Sequence, residues 1–475
     1  MRNHMHICLA ILLGLLYSNE ALAASEQSRP NIIFIMADDL GYGDLSCYGQ
    51  SKFTTPHIDS LANEGMRFTQ FYSGSTVCAP TRSTIMTGQH TGHTRVRGNG
   101  RKFGDEHIGL KPEDVTIAEV LKDAGYTTGI VGKWGLGAEG TNAVPTQKGF
   151  DFFYGFLDQH NAHFFYPPYL WKNEAKEMFP ENDRLGMTGT FAHDRMTEEA
   201  LGFVERNAEN PFFLYLAYTI PHAEMVAPKD SMDQYAGKFG EEKPYKRRSE
   251  RDYGDQAQPR AAFAAMVTRL DHDIGSLMTR LKELGIDDNT IVMFTSDNGP
   301  HAEGGHDYRF FDSNGLLKGL KRDLYEGGIR VPMIVRWPGK VNAGKNSDHI
   351  GAHWDFFATC LDLADTKTEA KHDGISFLPE LTGKRQKTHD YLYWEFFERG
   401  GRQAVRMGNW KGIRYNVNKD PNSPLMLYDL SGEIGEVTDV SNQYPKIVEQ
   451  IDQHLVNART ESKWFKFNHE KPKKK

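Results

Sequence analysis

A chain of 475 residues, 39% hydrophobic and 25% charged, has ordinary globular composition and is long enough for a large α/β domain with a smaller companion. Its formal net charge of −7 gives no basis for a nucleic-acid-binding surface, and the Lys-rich end, residues 471–475, reads as a solvated tail. No heptad pattern, internal repeat or long low-complexity segment is present, which excludes coiled coils and solenoids.

The first predicted element is an export signal. Arg2 and His4 precede an apolar run, residues 7–16, and Ala21-Leu22-Ala23 fits a small-residue cleavage site. The run is too short to span a bilayer. Residues 1–23 are therefore expected to be removed, leaving a periplasmic or secreted protein with no membrane span. Loss of Cys8 leaves Cys47, Cys78 and Cys360, an odd number in an oxidising compartment. At least one thiol is then free, modified or paired outside the chain; spacing leaves open whether Cys47 and Cys360 are bonded.

A short apolar strand followed by polar residues recurs along the chain. Residues 31–36 run into Asp38-Asp39. A helix follows, with Thr55 as its cap, Pro56 first and Gly65 ending it. Thr116 and Glu119 make a capping box before Val120 and Leu121, with Gly125 as the stop. Residues 127–131 run into Lys133, and residues 212–218 into His222. Phe263, Met266, Val267, Leu270, Ile274 and Leu277 keep helical spacing toward Gly285, and residues 290–294 then run into Asp297-Asn298. Strands apolar on both faces predict a buried, mostly parallel central sheet sandwiched by helices, with its ligand site beyond the carboxyl ends. After about residue 385 the pattern changes. Residues 391–396, 403–406 and 411–415 alternate like antiparallel strands, and a last helix follows Pro445. The expected organisation is a large α/β domain over 24–385 and a small α+β domain over 386–475.

The segment Val77-Cys78-Ala79-Pro80-Thr81-Arg82-Ser83-Thr84-Ile85-Met86-Thr87-Gly88 carries the most chemistry. Read alone, Cys78 is ambiguous, since a lone Cys is most often a small buried hydrophobe, and no CxxC or local protease signature accompanies it. Asp38, Asp39, Asp297 and Asn298 offer hard oxygen ligands that suit Ca²⁺ or Mg²⁺ and not Zn²⁺; such pairs also begin turns and cap helices. The Cys78 segment resembles the sulfatase signature, Cys-x-Pro-Ser/Thr-Arg followed by Thr-Gly. The resemblance extends over nearly the whole mature chain. It takes in Ala37-Asp38-Asp39-Leu40-Gly41-Tyr42-Gly43-Asp44, Gly132-Lys133-Trp134, Pro221-His222, Ser296-Asp297-Asn298-Gly299, Lys321 with Glu326-Gly327-Gly328, and Leu427-Tyr428-Asp429-Leu430.

This resemblance to the formylglycine-dependent sulfatases implies an alkaline-phosphatase-like fold and hydrolysis of a sulfuric ester. A formylglycine-generating enzyme would oxidise Cys78. The hydrated aldehyde would offer one hydroxyl to attack sulfur and a second to expel sulfate. The resemblance also implies one Ca²⁺ on Asp38, Asp39, Asp297 and Asn298, with Arg82 holding the nucleophile or a ligand carboxylate. Lys133, His222 and Lys321 would bind the sulfo group, and His222 or a neighbour would protonate the leaving oxygen. One position departs from the pattern: relatives often carry His two residues after the Lys, and here Gly135 stands there. His163 or His160, in Asp158-Gln159-His160-Asn161-Ala162-His163, is expected to supply the imidazole, with His163 preferred.

Residues 152–171 are rich in aromatics, and residues 301–314 add His301, His306 and Arg309. Aromatic faces with cationic donors suit a sulfated sugar; packing between domains explains the aromatics equally well. His160, His301 and Arg309 are the expected substrate-binding residues. The Asp-Gln-x-x-Ala-His and Phe-Phe-Asp-Ser-Asn-Gly stretches resemble bacterial carbohydrate sulfatases, which implies an exo-acting enzyme on a galactose-type residue. Two alternatives stay open: a phosphonate or phosphodiester hydrolase of the same superfamily, and a catalytically silent carbohydrate-binding relative.

Overall fold

The computed structural model describes residues 29–100, 102–103 and 106–471. The expected export signal and the last four residues of the Lys-rich tail lie outside them. Among the described residues no helix is long and apolar enough to cross a membrane.

Five parallel strands form the centre of the main sheet: β1 (Asn31–Ala37), β2 (Thr127–Lys133), β3 (Phe152–Phe156), β4 (Phe212–Ala217) and β5 (Thr290–Ser296). Their spatial order is β3-β2-β4-β1-β5. Antiparallel strands extend both edges, Arg330–Arg336 and then Met66–Tyr72 beyond β5, and Tyr169–Lys172 and then Ala175–Met178 beyond β3. The expected mostly parallel sheet is therefore present, with antiparallel margins that the apolar runs do not announce.

Each central strand feeds two cores. Ile33, Ile35 and Ala37 of β1 pack on one face with Phe263, Met266 and Leu270 from the helix Pro259–Glu283. Ile32, Phe34 and Met36 pack on the other with Ile85 and Met86 of the helix Cys78–Thr87 and with Phe356 and Cys360 of Asp355–Leu363. Covering both faces is what makes a strand of consecutive apolar residues stable. The capping box forms as expected: Thr116 Oγ1 accepts from Glu119 N at 3.2 Å, and Glu119 accepts from Thr116 N at 2.7 Å. Thr55 differs. It precedes Pro56, but its hydroxyl accepts from Ser46 N at 3.0 Å and bonds Asp59 instead of capping the helix backbone.

A second, four-stranded antiparallel sheet runs Leu392–Phe396, Arg402–Met407, Trp410–Tyr415 and Leu425–Asp429. Trp394, Ala404 and Ile413 face Tyr72 and Trp354 of the larger body, while Tyr393, Val405 and Leu427 face Ile451 and Leu455 of the last helix, Pro445–Asn457. A buried ionic cluster also joins the two bodies. Lys411, on the small sheet, lies 2.8 Å from Glu326 and 3.4 Å from Glu436, and all three side chains are fully buried. Cys47, Cys78 and Cys360 are all free thiols, so Cys47 and Cys360 are not bonded.

Candidate active site

The polar residues that follow the strands converge because the strands are in register. Ala37 of β1 pairs with Ser296 of β5, so Asp38-Asp39 and Asp297-Asn298 leave the sheet side by side. Asp39 sits at φ 65°, a left-handed conformation that Asp tolerates better than most residues. Its backbone N–H donates to Asp297 Oδ1 at 2.9 Å, and Asn298 Nδ2 donates to Asp39 Oδ1 at 2.7 Å. Both pairs are wholly buried.

Cys78 is the first residue of its helix, after an extended Val77 at φ −152°, ψ 162°. The helix amino end favours negative charge there. Arg82 follows one turn later on the same face. The Cys78 thiol donates to Asp38 Oδ1 at 3.3 Å. Burial and the Asp38 carboxylate push that thiol well up, so the unmodified side chain is a neutral thiol and a poor nucleophile. Arg82 donates to the Lys133 carbonyl at 2.6 Å and reaches Asp38 at 3.4 Å and Asp297 at 3.6 Å. Lys133, the last residue of β2, bonds Asp38 Oδ2 at 2.6 Å. Burial alone would raise Asp38, but Lys133, with Arg82 and Lys321, holds its carboxyl well below the usual range.

Lys321 bonds Asp39 Oδ2 at 2.7 Å and His222 Nε2 at 2.9 Å. His222 Nδ1 donates to the Ala223 carbonyl, which leaves Nε2 as the acceptor of the lysine proton. Burial and the adjacent ammonium keep this imidazole neutral by lowering its pKa well below the ordinary value. Two further imidazoles lie near-parallel to His222. His163 stacks on His222 with centroids 4.3 Å apart and planes 12° apart, and the His301 ring lies 5.7 Å from His222 at 20°.

Two oxygens in this cluster have no partner: Asp297 Oδ2 and Asn298 Oδ1 are buried without a hydrogen bond. Burial, Asp38 and Asp39 push the Asp297 carboxyl well up, against the Arg82 guanidinium 3.6 Å away, as crowding by like charges in a buried site does. Unpartnered hard oxygens in a crowd of carboxylates fit a Ca²⁺-type cation. Asp38, Asp39, Cys78 and His222 can also bring one donor atom each within 4.8 Å of one another. In that set the His222 lone pair is already taken by Lys321 and the thiol is protonated, so the oxygen set fits better.

The structure therefore brings Asp38, Asp39, Cys78, Arg82, Lys133, His163, His222, Asp297, Asn298, His301 and Lys321 together. His160 is not among them; its ring packs edge-on against Phe164 at 5.4 Å. Arg309 is exposed and lies over Tyr308, in the wall of a cavity of about 590 Å³ that Tyr253 and Glu303 also line. Tyr253, whose ring centroid is 6.4 Å from that of His222, bonds Glu303 at 3.0 Å; the sequence reading passed over both. Neither belongs to a periodic element or a motif. Gln159, also passed over, fills the space beside Gly135, and the absence of a side chain at 135 was the one signal pointing to it.

Charged side chains gathered at the carboxyl edge of a sheet covered on both faces define an alkaline-phosphatase-like α/β hydrolase. The family profile described as Sulfatase matches residues 30–366, and one described as N-sulphoglucosamine sulphohydrolase, C-terminal, matches residues 308–461. The chain is 29% identical to an N-acetylgalactosamine-6-O-sulfatase of Bacteroides thetaiotaomicron, over 95% of this chain and 97% of that protein. It is 32% identical to an N-acetylgalactosamine-6-sulfatase of Canis lupus familiaris, over 82% and 72% respectively. Among solved structures, Ps i-CgsB in complex with k-i-k-neocarrahexaose superposes with a TM-score of 0.77 at 28% identity, covering 92% of this chain and 95% of that one. The protein belongs to the sulfatase family and is a sulfuric ester hydrolase.

Proposed function

We propose that this enzyme removes sulfate from a sulfated carbohydrate outside the cytoplasm, with Cys78 matured to formylglycine and one Ca²⁺ held by Asp38, Asp39, Asp297 and Asn298. The carrying observation is the pair of orphaned buried oxygens, Asp297 Oδ2 and Asn298 Oδ1, in the same cluster as the Cys78 thiol. The N-acetylgalactosamine-6-sulfatase names of two relatives and the neocarrahexaose in the solved structure support a sugar as substrate. Export, and maturation by a formylglycine-generating enzyme, rest on the signal-like amino terminus and the Cys78 motif.

The hydrated aldehyde supplies two hydroxyls on one carbon, one to attack sulfur and one to expel sulfate. A bound divalent cation supplies Lewis acidity toward the oxygens around it. The chain's own residues do the rest. Arg82 fixes Asp38 and Asp297, and Lys133 neutralises Asp38 where an anionic ester arrives. Lys321 and His222 share a proton across 2.9 Å and are placed to protonate the departing sugar oxygen. His163 adds a second imidazole from the adjoining loop, while His301 and Arg309 line the approach for the sugar.

The test is the intact mass of the peptide carrying Cys78 from the native host. Conversion of CH₂SH to CHO lowers it by about 18 Da. A fully active preparation in which Cys78 is a free thiol would remove the nucleophile assignment.

A further inference from the structure

Gln159 presents a physical problem that the machinery above does not absorb. Both polar atoms of its carboxamide, Oε1 and Nε2, are buried and without a hydrogen-bond partner. A buried amide left unmade costs stability, and folded proteins rarely keep one without a use. Its position is equally specific. A Cβ built on Gly135 would lie 1.9 Å from Gln159 Nε2 and 2.8 Å from Cδ, so the amide occupies the volume that a side chain at 135 would need. Gly135 is held at φ +74°, which other residues adopt at a cost.

The surroundings indicate what the amide meets. Gly135 stands two residues after Lys133, whose ammonium is on Asp38, and its N–H bonds the Leu157 carbonyl at 3.1 Å, which pins residues 157–159 beside the end of β2. Trp134, between them, turns away: its indole is fully buried and donates to the Ala143 carbonyl at 2.7 Å. Four residues beyond Gln159, the same loop carries His163 onto His222. An amide that offers two N–H donors, on the loop beside the end of β2 where the ion-paired Lys133 stands, matches a multiply oxygenated anion.

We propose that Gln159 is a substrate-binding residue whose Nε2 donates a hydrogen bond to a sulfo oxygen of the ester, in the space opened by glycine at 135. The proposal rests on the Cys78 centre being the reaction site. A carboxamide does not titrate between pH 4 and 10, so Gln159 orients and binds, and proton transfer stays with Lys321 and His222.

The test uses the mature enzyme and whichever of 4-nitrophenyl sulfate and N-acetylgalactosamine 6-sulfate the wild type turns over faster. Gln159→Leu keeps the size and removes the donors. The expected result is a fall in kcat/KM of roughly ten- to a hundredfold, with an unshifted pH profile and a Tm equal to or above wild type. Gln159→Glu, which offers only acceptors and adds repulsion, should lose more than Gln159→Leu. Wild-type kcat/KM in Gln159→Leu, or activity in Gln159→Glu above that of Gln159→Leu, overturns the proposal. A loss in Gln159→Leu that tracks a fall in Tm overturns it too, by making the residue structural. A Cys78→Ala control run beside these variants separates the two readings, because its inactivity leaves the reaction site standing when the Gln159 assignment fails.

Discussion

The Lys321 ammonium lies 2.9 Å from His222 Nε2 and 2.7 Å from Asp39, so one cation bridges a neutral imidazole and a carboxylate. If this pair protonates the leaving oxygen, the loss in His222→Ala or Lys321→Met should depend on that oxygen's basicity. About 10²- to 10⁴-fold is expected for a sugar ester, and markedly less for 4-nitrophenyl sulfate, whose phenolate leaves unassisted. Equal losses on the two substrates would place the pair in binding alone.

Removing divalent cations should cost both activity and stability. Asp38, Asp39 and Asp297 then share one buried site with unpartnered oxygens. Dialysis against EGTA is expected to abolish turnover and lower Tm by several degrees, with recovery on adding Ca²⁺; ligand at a hundred times its Kd contributes about 2.7 kcal/mol. Full activity after exhaustive chelation would exclude the cation from the reaction.

Lys411 holds two buried carboxylates, Glu326 and Glu436, and burial has already pushed Glu436 up to about 7. Lys411→Met takes the ammonium from Glu436 and leaves Glu326 to Arg330 and Arg406, so a destabilisation of roughly 3 kcal/mol is expected in urea melts. The double variant Lys411→Met with Glu326→Gln should recover part of it.

Glu224 gives a pH prediction with a definite sign. Burial raises its carboxyl from 4.5 to about 7, against the N–H groups of Gly254 and Phe165 that bond it. The folded protein therefore binds this proton more tightly than the unfolded chain. Its stabilising contribution is complete below about pH 4.5 and is lost as pH rises toward 7. Glu224→Gln, which cannot ionise, should gain in Tm relative to wild type between pH 5 and pH 8. A difference that stays flat over that range would show that Glu224 is not protonated in the fold.

Much of the site was legible because local chemistry and fold agree. The runs before Asp38, Lys133 and Asp297 carry consecutive apolar residues that show no alternation, as a covered parallel strand does, and such strands deliver their next residues to one edge. The thr-capped start at Thr116 was equally plain, since the capping box is a contact within four residues. What stayed hidden comes from contacts across long separations. His163 and His301 were named for the site, but nothing in the sequence tells that both rings lie near-parallel to that of His222, that Tyr253 meets Glu303, or that Gln159 fills the place of a side chain at 135. The hydroxyl of Thr55 was misread for the same reason, because its better partner, Ser46, lies on a separate loop.

If Cys78 is oxidised as proposed, its burial, 1% exposed at the start of its helix, sets a timetable for that step. No second protein can close around a thiol that the finished fold has sealed under Asp38 and Arg82. Any catalyst that oxidises Cys78 must therefore meet it on an extended chain, before the central strands assemble. Molecules that fold first would be shut out from maturation for good, so the active fraction of a preparation would record a race between the two events, and slowing the fold would enlarge it.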